Sequence, residues 1–293
     1  MRGFGGFGGP GGSQGSCTEQ IKAGWAKMPL FNKFVFSTCC IIYFTSFVVI
    51  QALTFTMLMP IDILHFQIWK LITGPFAHPQ LLMLLFSLLS YIPSAVFEEK
   101  EMGTVPFALR FFKLSFFINT MFCLVSFLAA FLVPSFIKVP CMGLWPILFC
   151  DLVIQCYKDP ETPRGLCCLP IQIKSKWYPL VLYGIFTILF MNLDLSFTTG
   201  LGVGYLYVFG YLKWIESTQE SISLWEKRWP FTKYKEDPNF IKTNGSAITV
   251  TAPTQSTSSS QSRPATSFFG GGAQSGTSTI DPSTGSQGTN AQA

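Results

Sequence analysis

The sequence predicts an all-α polytopic membrane protein, a bundle of six membrane-spanning helices with disordered cytosolic termini. Of its 293 residues, 49% are hydrophobic and only 12% are charged, which is too apolar for an ordinary soluble domain. The apolar residues are gathered in about six blocks of roughly 17 to 25 residues, the length that crosses a hydrocarbon core of ~30 Å. The basic residues fall almost entirely on one side of these blocks, as they do in multi-pass membrane proteins.

The six predicted spans follow one another along the chain with connections between them that are short or more polar. They are residues 34–59, 80–97, 107–133, 139–157, 178–191 and 195–212. The fifth has only about 14 residues, so it requires a thin bilayer or a contribution from flanking residues.

The basic residues predict the orientation of the spans. Apart from Lys70 and Lys138, the 20 Lys and Arg residues lie before the first span, near the second-to-third and fourth-to-fifth connections, or after the last span. Connections rich in Lys and Arg remain in the cytosol, so both termini are expected there. This orientation also accounts for most of the net charge of +5 without nucleic acid. The nine Cys residues lie in spans or cytosolic segments, so no disulfide framework is expected.

The chain on either side of the membrane domain has a different composition. Residues 1–30 are a Gly-rich segment that is expected to be flexible, and residues 31–215 hold the six spans. Residues 243–293 are rich in Ser, Thr and Gly and contain few large apolar side chains. Such a segment cannot bury enough surface to offset the entropy lost on ordering, so it is expected to be disordered.

Between the last span and this tail, residues 216–242 have an amphipathic pattern. Ile215, Ile222, Trp225 and Trp229 recur at helical spacing and would share one face of a helix. The pattern predicts a segment that lies in the cytosolic membrane interface, with Trp side chains at the headgroups. A helix that docks on a partner protein is the alternative.

Several short motifs occur in a distinctive order along the spans. They are Trp69-Lys70, Thr73 and Phe76-x-His78 in the first-to-second connection, Glu99-x-x-x-Gly103 in the cytosolic acidic run Glu98, Glu99 and Glu101, Tyr178-Pro179 at the start of the fifth span, and Gly200-x-x-x-Gly204-Tyr205 in the sixth. In this order and spacing, residues 30–215 resemble the six-helix rhomboid superfamily. The stretch "FQIWKLITG" is most similar to the derlins and to the rhomboid-like proteins that carry a ubiquitin-associated domain. Lys70 stands where most members have Arg, and Lys lacks the planar donor fork of Arg.

The resemblance implies that the catalytic positions of rhomboid proteases are lost in this chain. A rhomboid protease uses a Ser on the fourth span and a His on the sixth, because a hydroxyl needs an adjacent base to become nucleophilic. Matching Gly143 to the family pattern places Trp145 at the Ser position, and Phe197 takes the His position. Met83 and Ser87 take the positions that help to hold the oxyanion. The chain is therefore expected to be a pseudoprotease and not an enzyme, with Trp145 and Phe197 filling the former catalytic cavity.

The Gly and the Pro beside Trp145 are unusual at this place in a span. Trp145 is about six residues from the lumenal end, which is a depth of ~9 Å at the rise of an α-helix. We interpret Gly143 and Pro146 as residues that let the fourth span pack closely on the sixth, where Gly200 and Gly204 also favour close packing.

Two other interpretations of these residues remain open. In the first, the chain is an unrelated six-span protein and the apolar residues are simply compatible with lipid. In the second, Cys141 and His78 form a catalytic Cys-His pair near the lumenal ends of the fourth and second spans.

By resemblance, the function is that of a non-catalytic adaptor in the endoplasmic reticulum membrane. Such proteins lie in the lipid bilayer, bind membrane or misfolded clients, and pass them to ubiquitin ligases and an AAA-type segregase within a larger complex. No cofactor, metal or nucleic acid is expected. A transporter or channel with Asp151 and Asn119 lining its path is one alternative, and a structural or trafficking protein of the early secretory pathway is another. Asp151, an ionisable residue inside the fourth span, would otherwise contact a client or accept a hydrogen bond from a neighbouring helix.

Overall fold

The computed structural model describes residues 17–166, 169–190, 194–228 and 231–243, which are mostly helical. In chain order the elements are α1 (Cys17–Lys27), α2 (Leu30–Val48), α3 (Ile50–Thr56), α4 (Pro60–Leu64), α5 (Lys70–Thr73), α6 (Leu81–Met102), α7 (Thr104–Ala130), α8 (Trp145–Lys158), β1 (Pro163–Leu166), β2 (Leu169–Lys174), α9 (Tyr178–Phe190), α10 (Leu195–Val208), α11 (Gln219–Glu226) and α12 (Phe231–Tyr234). Strands β1 and β2 pair as an antiparallel hairpin in the connection between α8 and α9. The main hydrophobic core collects buried side chains from α2 and from α6 to α10.

The helices of the bundle fall into a long set and a short set. Among the described residues, three helices are long and apolar enough to cross a membrane: α2 with 19 residues, α6 with 22 and α7 with 27. Helices α8, α9 and α10 have 14, 13 and 14 residues. At 1.5 Å per residue each of these is only about 20 Å long, less than a hydrocarbon core of ~30 Å. The predicted all-α membrane class is confirmed, and three of the bundle helices are short rather than one.

The predicted first span is not one continuous helix. Helix α2 begins at Leu30 and ends at Val48, and Val49 then adopts an extended conformation with φ −127° and ψ 97°. Helix α3 follows as a separate short helix. Hydropathy alone did not reveal this break, because the residues on both sides of Val49 are equally apolar.

The predicted fourth span is wrong at its N-terminal end. Residues 139–144 are not helical, and α8 begins at Trp145. Gly143 has a positive φ of 81°, and Cys141 pairs through its backbone with Leu58, with N···O distances of 2.7 and 3.3 Å. Irregular backbone is tolerated at membrane depth where the protein itself satisfies its polar groups. Trp145 therefore lies at the start of a helix and not six residues inside one.

The acidic run at the end of the second span lies within α6. The helix continues past the predicted end at residue 97, and Glu98 and Glu99 are buried. The Glu99 carboxylate accepts hydrogen bonds at 3.0 Å from the backbone N–H groups of Phe31 and Asn32, at 2.7 Å from the Asn32 side chain and at 2.9 Å from the Thr104 hydroxyl. An anion at a helix N-terminus satisfies amides that have no partner within the helix. Glu99 thus attaches the start of α2 to the junction of α6 and α7.

Helices α8 and α10 approach each other closely. A methyl group on Gly200 would overlap the carbonyl of Pro146, and a Cβ on Gly204 would lie 2.8 Å from the Cβ of Val153. Small residues permit this approach of two helix backbones. Gly143 precedes α8, and the atoms nearest to a Cβ there belong to His78 and Ala77, so its predicted part in the packing of the two helices is not borne out.

The described termini are more structured than the composition suggests. Residues 17–27 form α1, a helix within the segment up to residue 30 whose expected flexibility stays a prediction. Residues 1–16 and 244–293 lie outside the described residues, and the disorder expected of the tail stays a prediction.

The segment after α10 packs on the membrane domain. Ile215 is fully buried, and Ile222 is buried in a cluster with Val105 and Phe240. The predicted common face of Ile215 and Ile222 therefore contacts protein and not lipid. Trp225 is partly exposed, and Trp229 lies outside the described residues.

Candidate functional site

A cavity of about 390 Å³ lies at the end of the bundle where α8 and α10 begin. Its lining is mostly apolar and includes Met83, Phe136, Met142, Trp145, Leu195 and Phe197. Its polar lining is His78, Asp194 and Ser196. Pockets of a few hundred Å³ with apolar walls and few polar groups are typical of ligand sites. This cavity can hold a bulky apolar side chain with part of its backbone.

Trp145 and Phe197, at the expected catalytic positions, are close neighbours in one aromatic cluster. Their ring centroids are 6.0 Å apart, and Phe186 of α9 lies 5.5 Å from the Trp145 ring. Phe149, one turn further along α8, stacks on Phe197 at 5.4 Å. Pro146 occupies the first turn of α8, where the missing N–H of Pro removes no helical hydrogen bond. The cluster occupies the place where the resemblance puts a nucleophile and its base.

The structure brings a histidine and a serine together at a different place. The Nε2 atom of His78 lies 2.9 Å from the hydroxyl of Ser87, which also donates to the carbonyl of Leu84 at 2.9 Å. The Nδ1 atom of His78 lies 3.3 Å from the carbonyl of Phe76. Ser87 is fully buried and does not line the cavity. Gly143, which has a positive φ, packs against the His78 ring, and a Cβ at this position would lie only 3.1 Å from the ring.

Burial sets the charge of the histidine. Burial lowers the pKa of His78 to about 4, although the hydrogen bond to Phe76 acts in the opposite direction. The ring is therefore neutral at pH 7. The resemblance assigned Ser87 to an oxyanion position and gave no sign of this bond. The sequence carries one weak signal for it, a His shortly before α6 and a Ser two turns into the helix.

Cys141 is not the partner of His78. Its thiol donates to the side-chain oxygen of Asn119 at 3.5 Å, and the Asn119 amide donates to the carbonyl of Leu71 at 2.7 Å. These contacts join α7 to the connections on either side of the cavity. Asn119 is therefore occupied within the protein, as is Cys141.

The predicted scaffold motif in the first-to-second connection supports this end of the bundle. Lys70 is buried and forms an ion pair of 2.9 Å with Asp62. Trp69 stacks on Phe55 with centroids 5.4 Å apart, and the Thr73 hydroxyl donates to the carbonyl of Thr56 at 3.1 Å. A single ammonium–carboxylate contact thus takes the place in which most members have the fork of Arg.

Asp151 does not line the cavity; it lies further along α8, in an ion network inside the bundle. Its carboxylate is 2.9 Å from the Arg110 guanidinium, which is also 3.1 Å from Glu98. Gln155 donates to Glu98 at 3.1 Å. Since Arg110 occupies the carboxylate, the structure favours the interpretation in which a neighbouring helix satisfies Asp151 over a direct client contact. Within the described ranges, no group of three or more His, Cys, Asp or Glu side chains could hold a metal ion.

The comparison with known families agrees with this architecture. The chain matches the model of the rhomboid domain over residues 65–214, which is just over half of its length and includes α6 to α10 and the cavity. It matches no curated protein. On this match the chain belongs to the rhomboid family.

Proposed function

We propose that this protein is a catalytically inactive rhomboid that holds an apolar segment of a membrane-protein client in the cavity. The observation that carries the proposal is the pair of Trp145 and Phe197, which stand at the nucleophile and base positions with their rings 6.0 Å apart. Neither side chain can act as the hydroxyl nucleophile or as the base that peptide-bond cleavage by a Ser-His dyad requires.

The Ser87–His78 bond supports inactivity rather than a substitute dyad. A nucleophile must reach the carbonyl it attacks, and Ser87 has no exposed surface. Its hydroxyl donates to the Leu84 carbonyl and lies within hydrogen-bond distance of His78 Nε2, which favours a structural role that fixes the wall of the cavity.

The lining of the cavity supports an apolar client. Its walls are aromatic and aliphatic. One carboxylate oxygen of Asp194 caps α10, because it accepts hydrogen bonds from the backbone N–H of Ser196 at 2.8 Å and from the Ser196 hydroxyl at 2.6 Å. The indole N–H of Trp145 is buried and has no hydrogen-bond partner in the described chain.

The short helices support contact with membrane clients. Helices of about 20 Å favour a locally thin bilayer, because mismatch with a thicker one costs free energy. Thinning of this kind is what the resemblance to the derlins implies, and it would lower the cost of exposing a polar client segment near the cavity.

The orientation of the protein, its location and its partners are part of the same proposal. Both termini lie in the cytosol, the cavity faces the lumen of the endoplasmic reticulum, and cytosolic segments recruit a ubiquitin ligase and an AAA-type segregase. The asymmetry of the Lys and Arg residues supports the orientation, and the resemblance supports the partners.

Photocrosslinking from the wall of the cavity tests client binding. A photoreactive amino acid at Met142 is expected to yield adducts with membrane proteins, whereas the same residue at Ile41, on the exposed face of α2, yields mainly lipid adducts. Met83→Trp fills the cavity and is expected to remove the Met142 adducts, and Leu85→Trp on the exposed face of the same helix leaves them. Equal adduct yields from both positions would contradict the proposal.

Co-purification tests the link to degradation. The full chain is expected to retain ligase and segregase subunits, and a chain ending at Thr243 shows whether the tail recruits them. Retained clients without these subunits would favour the structural or trafficking alternative. The transporter alternative has less support, since Asp151 and Asn119 are both bonded within the protein.

A further inference from the structure

Residues 237–243, after the last helices, dock on the membrane domain as a strap across two helix N-termini. The backbone N–H of Leu30, at the start of α2, donates to the carbonyl of Asn239 at 3.2 Å. The backbone N–H of Thr104, at the start of α7, donates to the carbonyl of Ile241 at 3.0 Å. Amides in the first turn of a helix have no partner within it, so the strap supplies the missing acceptors for both helices.

A hydroxyl group connects the strap to the carboxylate that holds α2. The backbone N–H of Ile241 donates to the Thr104 hydroxyl at 3.0 Å, and this hydroxyl donates to Glu99 at 2.9 Å. The same Glu99 oxygen accepts from the backbone N–H of Phe31 at 3.0 Å. One chain of hydrogen bonds therefore runs from the strap through α7 and α6 to α2.

Packing under the strap is close. Phe240 is buried against Val105 and Ile222, and the Thr243 hydroxyl donates to Glu226 at 3.0 Å. Gly103 has a positive φ of 99°, and a Cβ there would lie 3.1 Å from the Cα of Thr243. The glycine of the Glu-x-x-x-Gly motif thus permits both the turn between α6 and α7 and the approach of the strap.

We propose that the strap, residues 237–243, is a releasable clamp on α2. While docked, the clamp keeps the start of α2 against the junction of α6 and α7, and its release loosens α2 through the Thr104–Glu99 connection. A short surface segment opens at lower free energy than the spans whose cores it covers. A protein that engages the chain after residue 243 would therefore act on α2. The inference stands on these hydrogen bonds and does not depend on the adaptor function.

Residue-resolved hydrogen exchange on the purified protein in lipid nanodiscs tests the clamp. The full chain is compared with a chain that ends at Thr243, which keeps the clamp, and with one that ends at Glu236, which lacks it. The amides of Phe31 and Asn32 are bonded to Glu99 and not to the clamp. They are expected to exchange at least about tenfold faster in the chain ending at Glu236 and unchanged in the chain ending at Thr243. Faster exchange at Leu30 and Thr104 alone would overturn the coupling.

Three point variants keep the test decisive if the chain ending at Glu236 unfolds. Thr104→Val removes the connecting hydroxyl, whereas Thr120→Val removes one that bonds only to Phe116 of its own helix, at 2.7 Å. The first is expected to speed exchange at Phe31 several-fold and the second to leave it unchanged. Phe240→Ala, which weakens docking of the clamp, is expected to speed exchange at Phe31 less in the Thr104→Val background than in the wild-type chain, because the Thr104–Glu99 connection is already lost there and only the Leu30–Asn239 bond still joins the clamp to α2. No effect of Thr104→Val, or fully additive effects of the two substitutions, would overturn the proposal.

Discussion

Two glycines of α10 lead to opposite predictions for the same substitution. Gly200 faces α8, where a Cβ would overlap backbone atoms of Pro146. Gly202 is exposed, and a Cβ there would meet nothing within 4 Å. Gly200→Ala and Gly202→Ala therefore test the close approach of α8 and α10 with an internal control on the same helix.

The expected magnitudes follow from these surroundings. Alanine is about 1 kcal/mol more favourable than glycine in a helix interior, so Gly202→Ala stabilises by up to that amount. Gly200→Ala makes the same gain but must move α10 away from α8, because the overlapped atoms belong to the backbone. Overpacking costs about 1–3 kcal/mol, and an overlap with backbone atoms belongs at the upper end of this range, so the net loss after the gain in helix propensity is about 2 kcal/mol. For a domain of this size, this lowers the unfolding midpoint by about 4–8 °C.

Thermal unfolding in detergent with a thiol-reactive dye measures this difference. Cys141, Cys150 and Cys156 are free and buried, so the dye reacts when the bundle opens. The midpoint is expected to fall for Gly200→Ala and to rise slightly for Gly202→Ala. If Gly200→Ala unfolds at the wild-type temperature, the helices do not approach each other as described.

Two further predictions concern buried charge. The contribution of His78 to the unfolding free energy is expected to be constant above about pH 6.5 and to fall by up to about 3 kcal/mol as the pH decreases to about 4, because the folded protein holds His78 neutral while the unfolded chain binds the proton. In melting experiments at a series of pH values, His78→Gln should remove this dependence, and His65→Gln, at an exposed position, should not. If both variants show the same change of stability with pH, His78 is not its source. Arg110→Met removes the ion-pair partner of Glu98 and Asp151 and is expected to cost about 3–5 kcal/mol, most of which returns when the two acids are also replaced by Gln and Asn. If the triple variant is no more stable than Arg110→Met, the cost does not come from unpaired carboxylates.

Helices whose length and composition decide their position were predictable from the sequence. The predicted spans 178–191 and 195–212 begin at the first residues of α9 and α10. Residues 139–144 were not predictable, because they are as apolar as a helix. Their backbone instead bonds to Leu58 and Gly74, which are distant in the sequence.

Only part of the site was predictable from the sequence. The resemblance placed Trp145 and Phe197 at related positions, and their rings do lie together. The Ser87–His78 bond depends on how the connection before α6 folds back, and no spacing rule specifies it. The burial of Glu99 was also missed. Hydropathy scores a carboxylate as exposed and takes no account of backbone amides, distant in the sequence, that donate hydrogen bonds to it.

The most direct test of the central claim is whether a bound client stays intact. The full chain is reconstituted with a membrane protein identified by the Met142 adducts, and the mass of that client is followed over time. We expect a full-length client in the presence of continuing adduct formation. Client fragments that disappear in a Ser87→Ala variant would contradict it and identify the buried Ser87–His78 pair as catalytic.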